Sequence, residues 1–155
     1  MVERIKIHLK NKDDYKNTYN DNILSYELNN YILEELKGKS RKAKIEFVVS
    51  SDFEMDNKDK NSLIFMIRNS FGADIGEVLN LARKQRISNY LIAVIGVVFI
   101  LIYNFLDYEF LSEFILIFGW VFLGEAICNL LYKEIEYRYV IARRKQIVNA
   151  KITFK

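Results

Sequence analysis

The spacing of hydrophobic positions changes several times along the chain, and each change predicts an element. From Arg4 to Leu9 the pattern alternates: Ile5, Ile7 and Leu9 share one face and Lys6 and His8 the other, the period of a half-buried strand. Past a polar stretch, Leu24, Leu28, Tyr31, Ile32 and Leu36 recur at three and four, which predicts a helix capped by Asp21 and closed by Gly38. Alternation returns from Lys44 to Ser50, with Ile45, Phe47 and Val49 against Glu46, as a second strand. Asp56 or Asn57 caps a second helix through Leu63, Met66, Ile67, Phe71, Ile75, Val78, Leu79 and Ala82. Gly72 and Gly76 each weaken helical propensity by about 1 kcal/mol, yet no proline interrupts, and the simplest reading is one helix running onward.

The onward segment has no charge at all. Ile87 to Leu106 is 20 uncharged residues, which at about 1.5 Å per residue reach about 30 Å, the thickness of a bilayer's hydrocarbon core. After Asp107, Tyr108 and Glu109 the segment Phe110 to Tyr132 adds 23 residues, enough to cross again with some tilt. The short connection requires an antiparallel hairpin. Lys133 to Asn149 then reads as a basic helix leaving the bilayer, and Ala150 to Phe154 alternates once more. A lone strand is unstable, so this last one is expected to return to the first two. The predicted class is an α+β membrane protein. It comprises a cytoplasmic α+β domain (1–86), a transmembrane hairpin (87–132), and a basic helix with a terminal strand (133–155) that completes a three-stranded sheet.

Charge sets the expected orientation. Residues 1–87 carry 16 basic and 14 acidic side chains, residues 88–132 only four acids, and residues 133–155 seven basic and two acidic, giving +2, −4 and +5. Basic residues stay on the cytoplasmic side, so both termini are expected there. Arg83, Lys84, Arg86, Arg143, Arg144 and Lys145 flank the spans and are candidates for contact with anionic lipid headgroups, worth about 1 kcal/mol each near the surface. That assignment displaces nucleic-acid binding as the reading of the basic clusters. The alternating charged and apolar residues at Met1 to Lys12 do not form a signal peptide. One cysteine precludes an intrachain disulfide, and one histidine a His-rich metal site. The abundance of Lys, Ile and Asn, 15, 20 and 14 residues, fits an AT-rich bacterial genome.

Within the second span, Gly119, Trp120, Val121, Leu123, Glu125, Leu130 and Tyr132 carry a resemblance, followed by Arg143 and Arg144 in the basic helix. In these residues the chain resembles an uncharacterised bacterial family of small two-span membrane proteins with a Gly-Trp-Val motif in the second span. The order strand, helix, strand before the first span is similar too. Ala126 stands where that family usually has proline. The resemblance implies architecture and a bacterial inner membrane, and no mechanism.

Glu125 is the most informative residue, because an ionised carboxylate near the middle of a span is unfavourable by about 3 kcal/mol and should face protein or water. Antiparallel register about Tyr108 sets it near Tyr90, whose hydroxyl is its expected partner. The same register sets Trp120 over Gly96, large against small, with Gly119 available for an oligomer contact. Asp107, Glu109 and Glu113 form an acidic outer rim, read as a solvated turn. His8 and Cys128 fall on a strand and inside a span, so they cannot pair as base and nucleophile. No phosphate-binding loop, dinucleotide motif or zinc motif occurs, and no cofactor, metal or catalytic activity is expected. The expected function is a membrane-anchored binding or regulatory module whose cytoplasmic part meets a protein or small ligand. The alternative is an oligomeric channel or membrane-perturbing effector.

Overall fold

In the sheet, the alternation read from the sequence becomes one buried and one open face. The structure, a computed structural model, describes every residue except Met1 and Asp107, together with the side chains of all but those two, Asp21 and Glu109. Strands β1 (Val2–Leu9), β4 (Lys44–Ser51) and β5 (Lys151–Phe154) form a sheet in the order β1-β4-β5. Both pairings are parallel, with Ile5 opposite Phe47 and Phe47 opposite Ile152. The returning strand is therefore present, and it takes the edge beside β4. Parallel neighbours need long crossovers. Helix α1 (Tyr26–Leu36) supplies the first, and helices α2 (Asn57–Tyr103) and α3 (Glu109–Val148) both lie within the second.

Contacts divide the chain into two units, one of residues 1–77 with 140–155 and the other of residues 78–139. These divisions fall inside α2 and α3. In the first unit Ile5, Ile7, Leu9, Ile45, Phe47 and Val49 meet Leu28, Ile32 and Leu36 of α1, Leu63, Met66, Ile67 and Phe71 of α2, and Ile147 of α3. Each fully buried aliphatic or aromatic side chain contributes about 1.5–3 kcal/mol. The opposite face carries Arg4, Lys6 and His8, all exposed. Parallel sheets are commonly covered on both faces, but here the polar alternation in β1 and β4 leaves one face open.

Helix α1 starts later than expected. Its cap is Ser25, whose Oγ accepts from the Leu28 N–H at 3.3 Å and donates to the Asp14 carbonyl at 2.7 Å. Asp21 falls instead in β3 (Asn20–Leu24), and its side chain lies outside the described residues. Strand β3 pairs with β2 (Lys16–Asn17) in a small antiparallel hairpin where a loop was expected. The Asn17 and Asn20 side-chain carbonyls accept the N–H groups of Tyr19 and Asn22, both at 2.9 Å. Asparagines that bond the backbone two residues on favour such turns. Tyr15, at the hairpin's base, is 1% exposed and belongs to the core. At the other end of α1, Gly38 takes φ +83°, the left-handed conformation expected of it. Asp56 caps α2 as expected, its Oδ1 accepting from the Asp59 N–H at 2.6 Å.

The second unit holds the apolar stretches of α2 and α3. Both helices are long and apolar enough to cross a membrane, with a mean hydropathy of 2.0 over the best window of each. Gly96 approaches Gly119 and Leu123, and Gly119 approaches Ile100, while Arg86 meets Glu134. These pairs advance along α2 as they retreat along α3, so the helices pack antiparallel. Phe99 lies across them, 5.7 Å from Phe122 and 6.4 Å from Phe118 between ring centroids.

Candidate functional site

In the helical unit the side chain turned toward the partner helix near position 125 is Ala126, at 0% exposure. Adjacent residues on a helix point about 100° apart, so Glu125 turns outward and is exposed, as is Tyr90. The expected Glu125–Tyr90 pairing is thus not formed. Trp120 is likewise exposed, at 63%, and the residues seated on Gly96 are Gly119 and Leu123. The close approach is glycine on glycine and not tryptophan on glycine. Of the expected acidic rim, Asp107 and the Glu109 side chain lie outside the described residues, and Glu113 is exposed.

Among the described residues of this unit Asn89 and Ser112 are buried polar positions, and neither was singled out from the sequence. Asn89 is 1% exposed and accepts a hydrogen bond from Gln85 Nε2 at 3.3 Å through its Oδ1. Gln85 and Asn89 stand four apart, the spacing of one helical face, and that was the available signal. One turn away Glu134 accepts from Arg86 Nη2 at 2.8 Å and from Arg138 Nε at 3.2 Å. The cavity among these residues measures about 10 Å³, so at most a single water fits.

The six basic residues proposed for headgroup contact divide by partner. Arg86 is bonded to Glu134. Arg143, only 9% exposed, donates to the Lys39 carbonyl at 2.6 Å and to Gln146 Oε1 at 3.1 Å. Arg144 donates to Asp74 at 3.2 Å. Arg83 and Lys84 are exposed, and Lys145 borders a groove described below.

On the open face of the sheet, His8 Nε2 lies 3.3 Å from Asp52 Oδ1 and His8 Nδ1 lies 3.1 Å from Ser50 Oγ. With the proton on Nε2, Nδ1 accepts from the serine, the order of an acid–base–nucleophile relay. The His8 and Asp52 side chains are 52% and 60% exposed. Water therefore competes for every contact, and the cluster lacks the dry surroundings that activate a nucleophile. Beside Arg4, Glu46 accepts a hydrogen bond at 2.8 Å that holds its carboxyl below the ordinary carboxylate range. Among the described residues no three of His, Cys, Asp and Glu gather as a metal-binding group.

Of the larger grooves on the first unit, two adjoin the sheet. One, of about 500 Å³, lies between Phe53, Met55, Lys60 and Phe154, with the Lys60 ammonium 5.8 Å from the centroid of the Phe154 ring. The other, of about 570 Å³, lies where the starts of β4 and β5 meet the last turns of α3, and is bordered by Lys44, Lys145 and Lys151. Lys44 and Lys151 were not singled out from the sequence, since only the pairing of β4 with β5 brings them together. The chain matches no protein-family model, no curated protein and no solved structure.

Proposed function

We propose that the chain is an integral protein of a bacterial cell membrane that crosses the bilayer twice. Both ends are cytoplasmic, and the α+β unit acts as a non-enzymatic binding or regulatory module held at the membrane surface. The observation that carries this reading is the exposure of the apolar stretches: only 11% of each window is buried within the structure. The core helix of a water-soluble protein hides such a stretch, and large exposed apolar surfaces mark a membrane or partner. Strand pairing supports the even number of crossings, because β4 precedes both stretches, β5 follows them, and the two strands share a ladder. Two strands of one sheet must lie on the same side of a bilayer.

Resistance to extraction at alkaline pH, together with cysteine labelling in a Cys128→Ser background, tests the topology. Tyr108→Cys should react with an impermeant thiol reagent in intact cells, and Asn17→Cys only after permeabilisation. Protein released without detergent would refute the membrane reading, and the reverse labelling would refute the orientation.

A second reading, an oligomeric channel or membrane-perturbing effector, draws on one observation: Glu125 points away from its own hairpin. An exposed carboxyl in an apolar stretch calls for a polar neighbour, which further copies could supply. A strictly monomeric mass in native lipid would exclude it.

A further inference from the structure

From the groove at the starts of β4 and β5 we infer a binding site for a phosphate-bearing ligand, gripped by Lys44, Lys145 and Lys151. This inference names a ligand class for the binding module proposed above and rests on that reading. The first support is the set of charges. Three lysines border the groove, with no carboxylate along its lining. Other cations of the same unit sit against acids, among them Arg4 on Glu46, Lys12 on Asp59, Lys39 on Glu3 and Arg144 on Asp74. Glu46, directly opposite Lys151 on the ladder, is hydrogen-bonded to Arg4 and also interacts electrostatically with Lys151. Three lysines on one groove, with no carboxylate in its lining, present positive charge that a multivalent anion complements by accepting from ammonium groups.

The groove's shape and chemistry narrow the ligand further. A volume of about 570 Å³ falls in the range of small-molecule sites and exceeds what a bare phosphate fills. Ala43 and Ala142 supply apolar lining and Asn149 a directional amide. The groove thus has room for an organic part beside a phosphate. Three independent segments border the site, and Gln146 fastens two of them: its Nε2 donates to the carbonyls of Ser40, Arg41 and Ala43 at 3.1, 2.7 and 3.0 Å. That staple fixes the last turns of α3 against the residues leading into β4, so Lys145 and Lys44 are presented on a preorganised frame. The same chemistry belongs to a soluble phosphate ester and to the headgroup of an anionic phospholipid.

The test uses the full chain in phosphatidylcholine nanodiscs, with thermal unfolding followed against added pyrophosphate at constant ionic strength. Variants are Lys44→Gln, Lys145→Gln and Lys151→Gln, singly and combined. A control of equal charge loss combines Lys10→Gln, Lys37→Gln and Lys58→Gln. A ligand that binds the folded state raises its unfolding temperature. Pyrophosphate should shift the parent and the control alike, with an affinity falling about tenfold for each groove lysine removed.

The second arm adds phosphatidic acid to the discs. If the lipid abolishes the pyrophosphate shift, or is retained through detergent exchange by the parent and not by the triple variant, the site takes a headgroup. If pyrophosphate binding persists unchanged and no lipid is retained, the site takes a soluble phosphate. The site is refuted if neither probe distinguishes the triple variant from the control, or if a variant that no longer folds is the only one to lose binding while the folded single variants retain it in full. A protein that inserts and folds yet binds neither probe removes this site and leaves the membrane-anchored module standing. A protein that leaves the membrane without detergent removes the module.

Discussion

Replacing Gly96 by alanine should loosen the helical hairpin, and the contact distances say why. A Cβ built on Gly96 meets Leu123 Cγ at 2.9 Å, and the Gly119 carbonyl oxygen and the Leu123 nitrogen at 3.0 Å each. Two of those three atoms are backbone, so no rotamer change relieves them and the helix axes must move apart by a few tenths of an ångström. Overpacking of this kind costs about 1–3 kcal/mol, which is roughly 5- to 150-fold in the pairing equilibrium. Helix propensity alone acts in the opposite direction, favouring alanine over glycine by about 1 kcal/mol. Gly124 separates the two effects, because a Cβ there meets nothing within 4 Å. The assay is denaturant titration in detergent, with energy transfer between dyes at Tyr90→Cys and Tyr132→Cys in a Cys128→Ser background. Gly96→Ala should lower the midpoint, whereas Gly124→Ala should leave it unchanged or raise it. Equal shifts from both substitutions would refute the close glycine contact as the feature that sets helix separation.

Three further outcomes are expected. Asp14 accepts from the Lys10 and Asn11 N–H groups at 2.7 and 2.9 Å, and these bonds, the Asn11 one foremost, hold its carboxyl below the ordinary value of 3.8. Its stabilising contribution is then complete above that value and is lost as pH falls through the lowered one; amide protection at Asn11 should follow this course, and Asp14→Asn should abolish the dependence. Gln146→Ala removes the three donations to Ser40, Arg41 and Ala43 and should destabilise the first unit by about 1–2 kcal/mol, partly offset by water, in thermal unfolding. Ending the chain after Ala150 deletes half-buried Ile152 and Phe154, at about 1 kcal/mol each for partial burial, and uncovers the edge of β4; unchanged protease resistance of residues 1–77 would show that β5 contributes nothing.

The elements that were legible in the sequence are those whose hydrophobic period runs long enough to be unambiguous. Strands β1, β4 and β5 alternate at their buried or half-buried positions Ile5, Ile7 and Leu9, Ile45, Phe47 and Val49, and Ile152 and Phe154, and the apolar stretches of α2 and α3 are long and uninterrupted by proline, so their existence and order could be read directly. The β2–β3 hairpin could not, because only Tyr15 and Leu24 mark its buried ends and the residues between are polar apart from the exposed Tyr19 and Ile23. Leu24 also fits the helical spacing of Leu28 and Ile32, which drew the expected start of α1 four residues too early. Facing directions along the spans were the weakest inference. An antiparallel register fixes depth but not rotation: the expected contacts at Glu125 and Trp120 each lie one residue, about 100°, from the observed ones at Ala126 and Gly119, in opposite senses around the helix. The lysine groove was hidden for another reason: its three charges come from segments that sequence spacing does not connect.

The topology also constrains the order in which the sheet is completed. Thr153 Oγ1 donates to the carbonyl of Phe47, 106 residues earlier in the chain, at 3.2 Å. The residues between them, including both apolar stretches, form the loop that β5 closes when it pairs. Until then β4 is an edge strand, with its N–H and C=O groups open on one side and the half-buried sites of Ile152 and Phe154 unfilled. Closing so long a loop carries an entropic penalty that grows only logarithmically with length, and a paired antiparallel hairpin shortens the effective loop by bringing residues near 86 and 134 together through the Arg86–Glu134 contact. Hairpin formation and sheet closure are therefore coupled in one direction: the helix pair forms without β5, whereas β5 docks more readily once the helices have paired. A substitution that separates the helices, such as Gly96→Ala, should thus slow the acquisition of protection along β4 even though it touches no residue of the sheet.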